Sequence, residues 1–251
     1  MSLILQRQLP YDPLDPRPLP GIQPLVPTDW LLLDEAYAGQ MARKAEVLAQ
    51  HRDAVLRRDP MADAALAELL EEVLGFLDGQ PGFHRQGDVM TTPDGRHVAL
   101  RGACELEVLS QLVQEDLCLM QKPEGADEHI LSAALLCFPA SWSLRQKYLR
   151  PLIGIHQPVA EYDATMARRV QRLFDGVQAG RPLWRFNALW YLDAELHQPR
   201  TEEDRRPQTG PEGQFLRSER QTLWRLPISG AVVFGIHTYV VRREDILSRT
   251  P

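Results

Sequence analysis

The stretch that most restricts the fold lies near the C-terminus. Leu216-Arg217-Ser218-Glu219-Arg220-Gln221-Thr222-Leu223-Trp224-Arg225-Leu226-Pro227 is followed, after Ser229-Gly230, by Ala231-Val232-Val233-Phe234-Gly235-Ile236-His237-Thr238-Tyr239. A charged run feeding a β-branched, aromatic run across a turn signal predicts an antiparallel hairpin. Alternation in the second run places Val232, Phe234, Ile236, Thr238 and Val240 on one face, and Ala231, Val233, Gly235, His237, Tyr239 and Val241 on the other. The first face is almost wholly apolar and is expected beneath helices. The second joins a glycine to two polar rings. Glycine inside a strand often marks close approach by a ligand, so Gly235, His237 and Tyr239 read either as the wall over a flat cofactor or as an exposed face. In the first run, Arg217, Glu219, Gln221, Leu223 and Arg225 share one face, and Ser218, Arg220, Thr222 and Trp224 the other. These charges suit either a site for anionic and cationic groups or a surface salt-bridge ladder.

Upstream, Pro10, Pro13, Pro16, Pro18, Pro20, Pro24 and Pro27 exclude helix and predict an extended arm over residues 1–33. Helical spacing then runs from Asp34 to about Arg57. A second helix follows Asp59 as cap and Pro60 as first residue, with Met61, Ala65, Leu66, Leu69, Val73, Leu74 and Leu77 as its stripe. A third is expected over Glu105 to Gln114, so residues 34–114 form a helical cap. Thr92-Pro93-Asp94-Gly95 predicts a turn between short extended pieces. Gln114-Glu115-Asp116 precede an apolar strand, as caps for nearby N–H groups or as pocket groups. Strands are expected at Leu117–Met120 and Ile130–Phe138, helices from Ser143 to Leu149 and from Ala164 to Val177, the latter opened by Tyr162-Asp163. Strands at Leu183–Leu192, Gln221–Leu226 and Ala231–Val241 finish residues 115–251. Two strands, a helical middle and three antiparallel strands is the order of a PAS domain. The fold class is therefore α+β: an antiparallel sheet of about five strands with helices on one side and a helical cap before it.

A net charge of -6 argues against nucleic acid as a partner. No apolar run reaches the roughly 18 residues of a membrane span, and the start meets Pro10 too early for a secretion signal. Cys104, Cys118 and Cys137 lack metal or disulfide spacing and read as thiols of a reducing cytoplasm. Zinc-protease, dinucleotide, P-loop and nucleophile-elbow motifs are all missing.

Four segments, in order, carry a family resemblance: Gln114-Glu115-Asp116-Leu117, Phe138-Pro139-Ala140-Ser141-Trp142-Ser143, Ile155-His156-Gln157-Pro158-Val159, and the C-terminal hairpin. Together they resemble the haem-dependent oxidative N-demethylase α-subunit family, from about Asp29-Trp30 to Tyr239. On its residues alone, His156 reads first as a core histidine; the resemblance reverses that and implies haem, with His156 as axial iron ligand. It implies an enzyme that uses O2, and electrons from a separate reductase, to demethylate a small amine. Arg217, Arg220 and Arg225 are then candidates for the haem carboxylates, Glu219 for the substrate ammonium, and His237 and Tyr239 for the distal side. At His237 the family pattern leads one to expect Lys or Arg. A haem-binding PAS sensor and a PAS-like module without haem are the alternatives. Relatives are expected to continue with a further helical segment, whereas this chain ends at Pro251.

Overall fold

The computed structural model describes residues 3–15, 21–156, 164–201, 203–204 and 212–248. In chain order the elements are β1 (Gln23–Pro24), α1 (Tyr37–Val55), β2 (Leu56–Arg58), α2 (Asp63–Leu77), β3 (His84–Gln86), β4 (Val89–Thr91), β5 (His97–Ala99), α3 (Glu105–Ser110), β6 (Asp116–Gln121) and β7 (Ile130–Leu135). Then come α4 (Leu144–Lys147), α5 (Leu152–His156), α6 (Ala164–Gly176), β8 (Leu183–Tyr191), β9 (Phe215–Arg225), β10 (Val232–Arg242) and α7 (Arg243–Leu247). The molecule is α+β. Its main sheet, among the described residues, has seven strands in the order β1-β8-β9-β10-β6-β7-β2, and β3-β4-β5 form a small second sheet.

The expected five strands make the centre of the main sheet, and two short edge strands bring it to seven. Each edge strand comes from the N-terminal segment: β1 pairs with β8 and β2 with β7, both antiparallel. The hairpin is longer than its pattern suggested. β9 begins at Phe215 rather than Gln221 and pairs with β10 over eleven positions, from Phe215↔Arg242 to Arg225↔Val232. Helix α2 follows a 3-10 turn at Pro60–Ala62, where the Asp59 side chain accepts from the Met61 N–H at 3.0 Å. That bond satisfies one of the orphan donors at a helix start. Thr92 and Gly95 close the β4–β5 turn, Gly95 with φ 81°. Helix α3 stops at Ser110 and does not reach Gln114.

Helices cover both faces of the sheet, the N-terminal cap helices on one and the α4–α6 region on the other. On one face Leu66, Leu69, Val73 and Leu74 of α2 pack with Leu117, Leu119, Leu135 and Val233. Each such side chain contributes about 1.5–3 kcal/mol by leaving water. On the other, Leu144, Leu152, Phe174 and Val177 from the α4–α6 region meet Cys118, Met120, Leu223, Val232 and Ile236. The N-terminal arm runs over the first face, with Trp30 stacked on Trp224 at 4.1 Å between ring centres. Among the described residues no helix is long and apolar enough to cross a membrane.

Candidate functional site

A cavity of about 550 Å³ lies between the central strands and the α4–α6 layer. That volume falls in the range of about 300–1,000 Å³ typical of small-molecule and cofactor sites. Its floor is β6, β8, β9 and β10, through Cys118, Met120, Arg185, Asn187, Glu219, Gln221, Leu223, Phe234 and Ile236. Its walls include Trp142, Lys147, Leu152, Ile155, Phe174 and Arg200.

Most of this lining is apolar, and the polar groups of its floor form one band across β8 and β9. Strand register sets Arg185 opposite Gln221 and Asn187 opposite Glu219. Alternation sends all four to the cavity face. Glu219 is 6% exposed; its Oε2 accepts from Asn187 Nδ2 and from Gln221 Nε2, each at 3.2 Å. Arg217 lies 3.8 Å from Glu219 Oε1. Arg185 has a buried Nε with no hydrogen-bond acceptor. Burial pulls its pKa below the usual arginine value, and the field of Glu219 only partly opposes this.

The opposite face of the sheet carries a second buried polar cluster. His237 is fully enclosed, with Nδ1 3.0 Å from Glu115 Oε1 and Nε2 3.0 Å from Asp34 Oδ2. Burial alone lowers a histidine pKa. Here the charges and hydrogen bonds of Glu115 and Asp34 outweigh it and raise His237 to about 9. Both carboxyls are in turn held below their ordinary range, against desolvation, by that imidazolium. Gln114 donates to Asp34 Oδ1 at 2.8 Å and to Gln40 Oε1 at 3.0 Å, while the Leu32 N–H donates to Glu115. Beside them the buried Lys44 Nζ lies 3.2 Å from Asp116 Oδ1, an ion pair rather than a hydrogen bond, and donates to the Glu115 carbonyl at 2.6 Å. Asp116 Oδ2 accepts from the Phe138 N–H.

These placements revise several expectations. The two faces of β10 are exchanged: Phe234 and Ile236 line the cavity, whereas Val233 packs under the N-terminal helices. His237 and Tyr239 therefore lie away from the cavity. Tyr239 is buried against Tyr11, at 6.0 Å between ring centres, and burial drives its pKa above the ordinary tyrosine value. Gly235 is required by the neighbouring strand, because a Cβ there would stand 2.7 Å from Thr222 Oγ1. The three arginines are committed to backbone carbonyls. Arg217 donates to Leu196 and Phe138, Arg220 to Asp29 and Trp30, and Arg225 to Val177, Phe174 and Gly230. None of the three lines the cavity. Glu219 does. His156 closes α5, whose Leu152 and Ile155 line the cavity. The His156 side chain and the Gln157-Pro158-Val159 and Tyr162-Asp163 segments lie outside the described residues.

Sequence reading passed over Arg185, Asn187, Lys147 and Arg200. The signal for the first two was present: in the apolar strand Leu183–Leu192 they sit at i+2 and i+4 from Leu183, so one face of an otherwise apolar strand carries a cation and an amide. Lys147 ends the four-residue helix α4, too short for a period, and Arg200 comes from a connecting segment. The sequence profile of the haem-dependent oxidative N-demethylase, alpha subunit-like family matches residues 21–250, and the chain belongs to that family.

Proposed function

We propose that this chain is the haem-carrying subunit of an oxidative N-demethylase for a small methylated amine. The cavity beside α5 carries the reading: it is a largely apolar chamber of about 550 Å³, entered by the helix that ends in His156. Met120, Leu131, Leu223, Phe234 and Ile236 suit the faces of a flat macrocycle. Lys147 and Arg200 in the walls suit its carboxylates. An unsatisfied guanidinium N–H on the floor is what a chamber built for a polar ligand presents. The order of two strands, helical middle and three strands supports a PAS-like frame for it.

His156 would supply an imidazole to hold the iron. When bound, haem supplies the iron at which O2 is reduced by externally delivered electrons and an N-methyl carbon is oxidised, releasing formaldehyde. Glu219 would accept the substrate ammonium while Asn187 and Gln221 fix its carboxylate. The apolar walls would exclude water and strengthen that pairing. An alpha-subunit-like chain implies a partner subunit, and we assign to the partner side the delivery of electrons. The purified protein should show a Soret band that His156→Ala loses or shifts. Dimethylamine should perturb that band in the wild type and leave it unmoved in Glu219→Gln. Reconstituted protein without haem absorbance would overturn the reading.

A further inference from the structure

The cavity floor offers two charges of opposite sign and pairs neither fully. Among the described residues no carboxylate approaches Arg185 within ion-pair distance, and its Nε has no acceptor. A guanidinium N–H buried without an acceptor is costly, so its persistence calls for a ligand that supplies one. Glu219 keeps an oxygen, Oε1, whose nearest cation is Arg217 at 3.8 Å. From the register, Arg185 and Glu219 are diagonal neighbours on adjacent strands. Such residues stand about 7–8 Å apart, and the two long side chains can converge on one small ligand between them.

We propose that this pair is a receptor for a zwitterion: Glu219 takes an ammonium and Arg185 a carboxylate from the same molecule. The substrate class is then an N-methylated amino acid rather than a simple methylamine. An amino acid carries its two charged groups on one carbon, which matches a receptor whose two poles are neighbours. Lys147 and Arg200 lie in the covering segments, away from Glu219 on the floor, and are the better placed cations for the cofactor's carboxylates. Arg185 and Glu219 face the same interior from adjacent strands. The inference rests on the demethylase reading for its methyl group and on the cavity floor for its two charges.

The test is isothermal titration of the purified full-length protein with N,N-dimethylglycine and with dimethylamine. The zwitterion should bind at least tenfold more tightly than the amine. Arg185→Gln should collapse that ratio towards one, Arg185→Lys should retain much of it, and Glu219→Gln should weaken both ligands. Circular dichroism of each variant establishes that it is folded. Equal affinities in the wild type would overturn the proposal. So would an unchanged ratio in Arg185→Gln accompanied by loss of haem absorbance, which would give Arg185 to the cofactor. Protein with the zwitterion preference but no Soret band would end the demethylase reading and leave this inference standing. A Soret band without the preference would do the reverse.

Discussion

Buried charge occupies both faces of one sheet, and the faces differ in how closely opposite charges are paired. On the arm face, His237 meets two carboxylates at 3.0 Å each, and Lys44 meets Asp116 and two carbonyls. On the cavity face, Arg185 has an orphan N–H and Glu219 is fixed only by two amides and a more distant arginine. Buried polar groups in a folded chain are normally satisfied. On the arm face each of these buried cations has a carboxylate oxygen within 3.2 Å, although Glu115 Oε2 and Asp116 Oδ1 accept no hydrogen bond. The charge-paired cluster therefore reads as a closed scaffold, and the unpaired cation beside a cavity as open. The closed network also ties the arm to the sheet, since Gln6 and Asp34 come from the first 34 residues and His237 from the last strand.

The sharpest way to break this contrast is to open the closed face. Lys44→Met strands Asp116 inside the protein, and removing one partner of a buried pair costs about 3–5 kcal/mol. Urea unfolding of this variant should show a loss of that size. A loss below about 1 kcal/mol would mean that the arm-face charges are not a structural network. The pH dependence comes next. His237 has a folded pKa of about 9 against about 6.5 when unfolded. A raised pKa stabilises fully below the unfolded value and is lost as pH rises through the folded one. Stability should thus decline between about pH 6.5 and 9, by on the order of 3 kcal/mol in all. His237→Leu should lack that limb. For Asp34 and Glu115 the shift is downward, so their stabilisation holds above the ordinary carboxylate pKa and is lost in acid, giving a second limb below about pH 4. A flat profile from pH 6 to 9 would remove the imidazolium from the account.

How much of this was legible follows from where partners lie in sequence. Strand alternation located β10 and its two faces, and the stripe of α2 located that helix. Which face met which layer was not legible, because His237's partners are 122 and 203 positions away. A polar ring on a strand reads as a pocket group until the buried carboxylates that absorb it are known. The expectation of Lys or Arg at position 237 has a physical basis here: two buried carboxylates need a cation between them, and His237 serves as one. The three arginines misled for the same reason, since their acceptors are loop carbonyls such as Asp29 and Phe138. Edge strands β1 and β2 span two and three residues, too few for a period. That Glu219 shares a face with Gln221 and Leu223 was legible because alternation needed only its own strand.

A smaller effect is expected where the arm is pinned. Arg220 donates to the carbonyls of Asp29 and Trp30, and hydrogen bonds to a charged group contribute about 1.5–3 kcal/mol. Arg220→Gln should cost about 1–3 kcal/mol and should raise amide exchange around residues 23–36, leaving β6–β7 protected. Equal exchange in both regions would show that the arm is not separately anchored.

The smallest effect belongs to the open face, and there it separates site from scaffold. Glu219→Gln keeps the shape and an acceptor for Asn187 and Gln221, and it removes a buried anion that is only partly paired. Gain and loss nearly cancel, so unfolding free energy should stay within about 1 kcal/mol of the wild type. The ligand response should change far more. A ligand that binds only the folded state stabilises it by about 2.7 kcal/mol at a hundred times its Kd. Wild-type protein in saturating N,N-dimethylglycine should therefore melt several degrees higher, and Glu219→Gln should lose most of that rise without having lost stability of its own. Thermal melts with and without ligand measure both. Should Glu219→Gln instead cost as much as Lys44→Met, the cavity face is scaffold too, and the distinction between the two faces collapses.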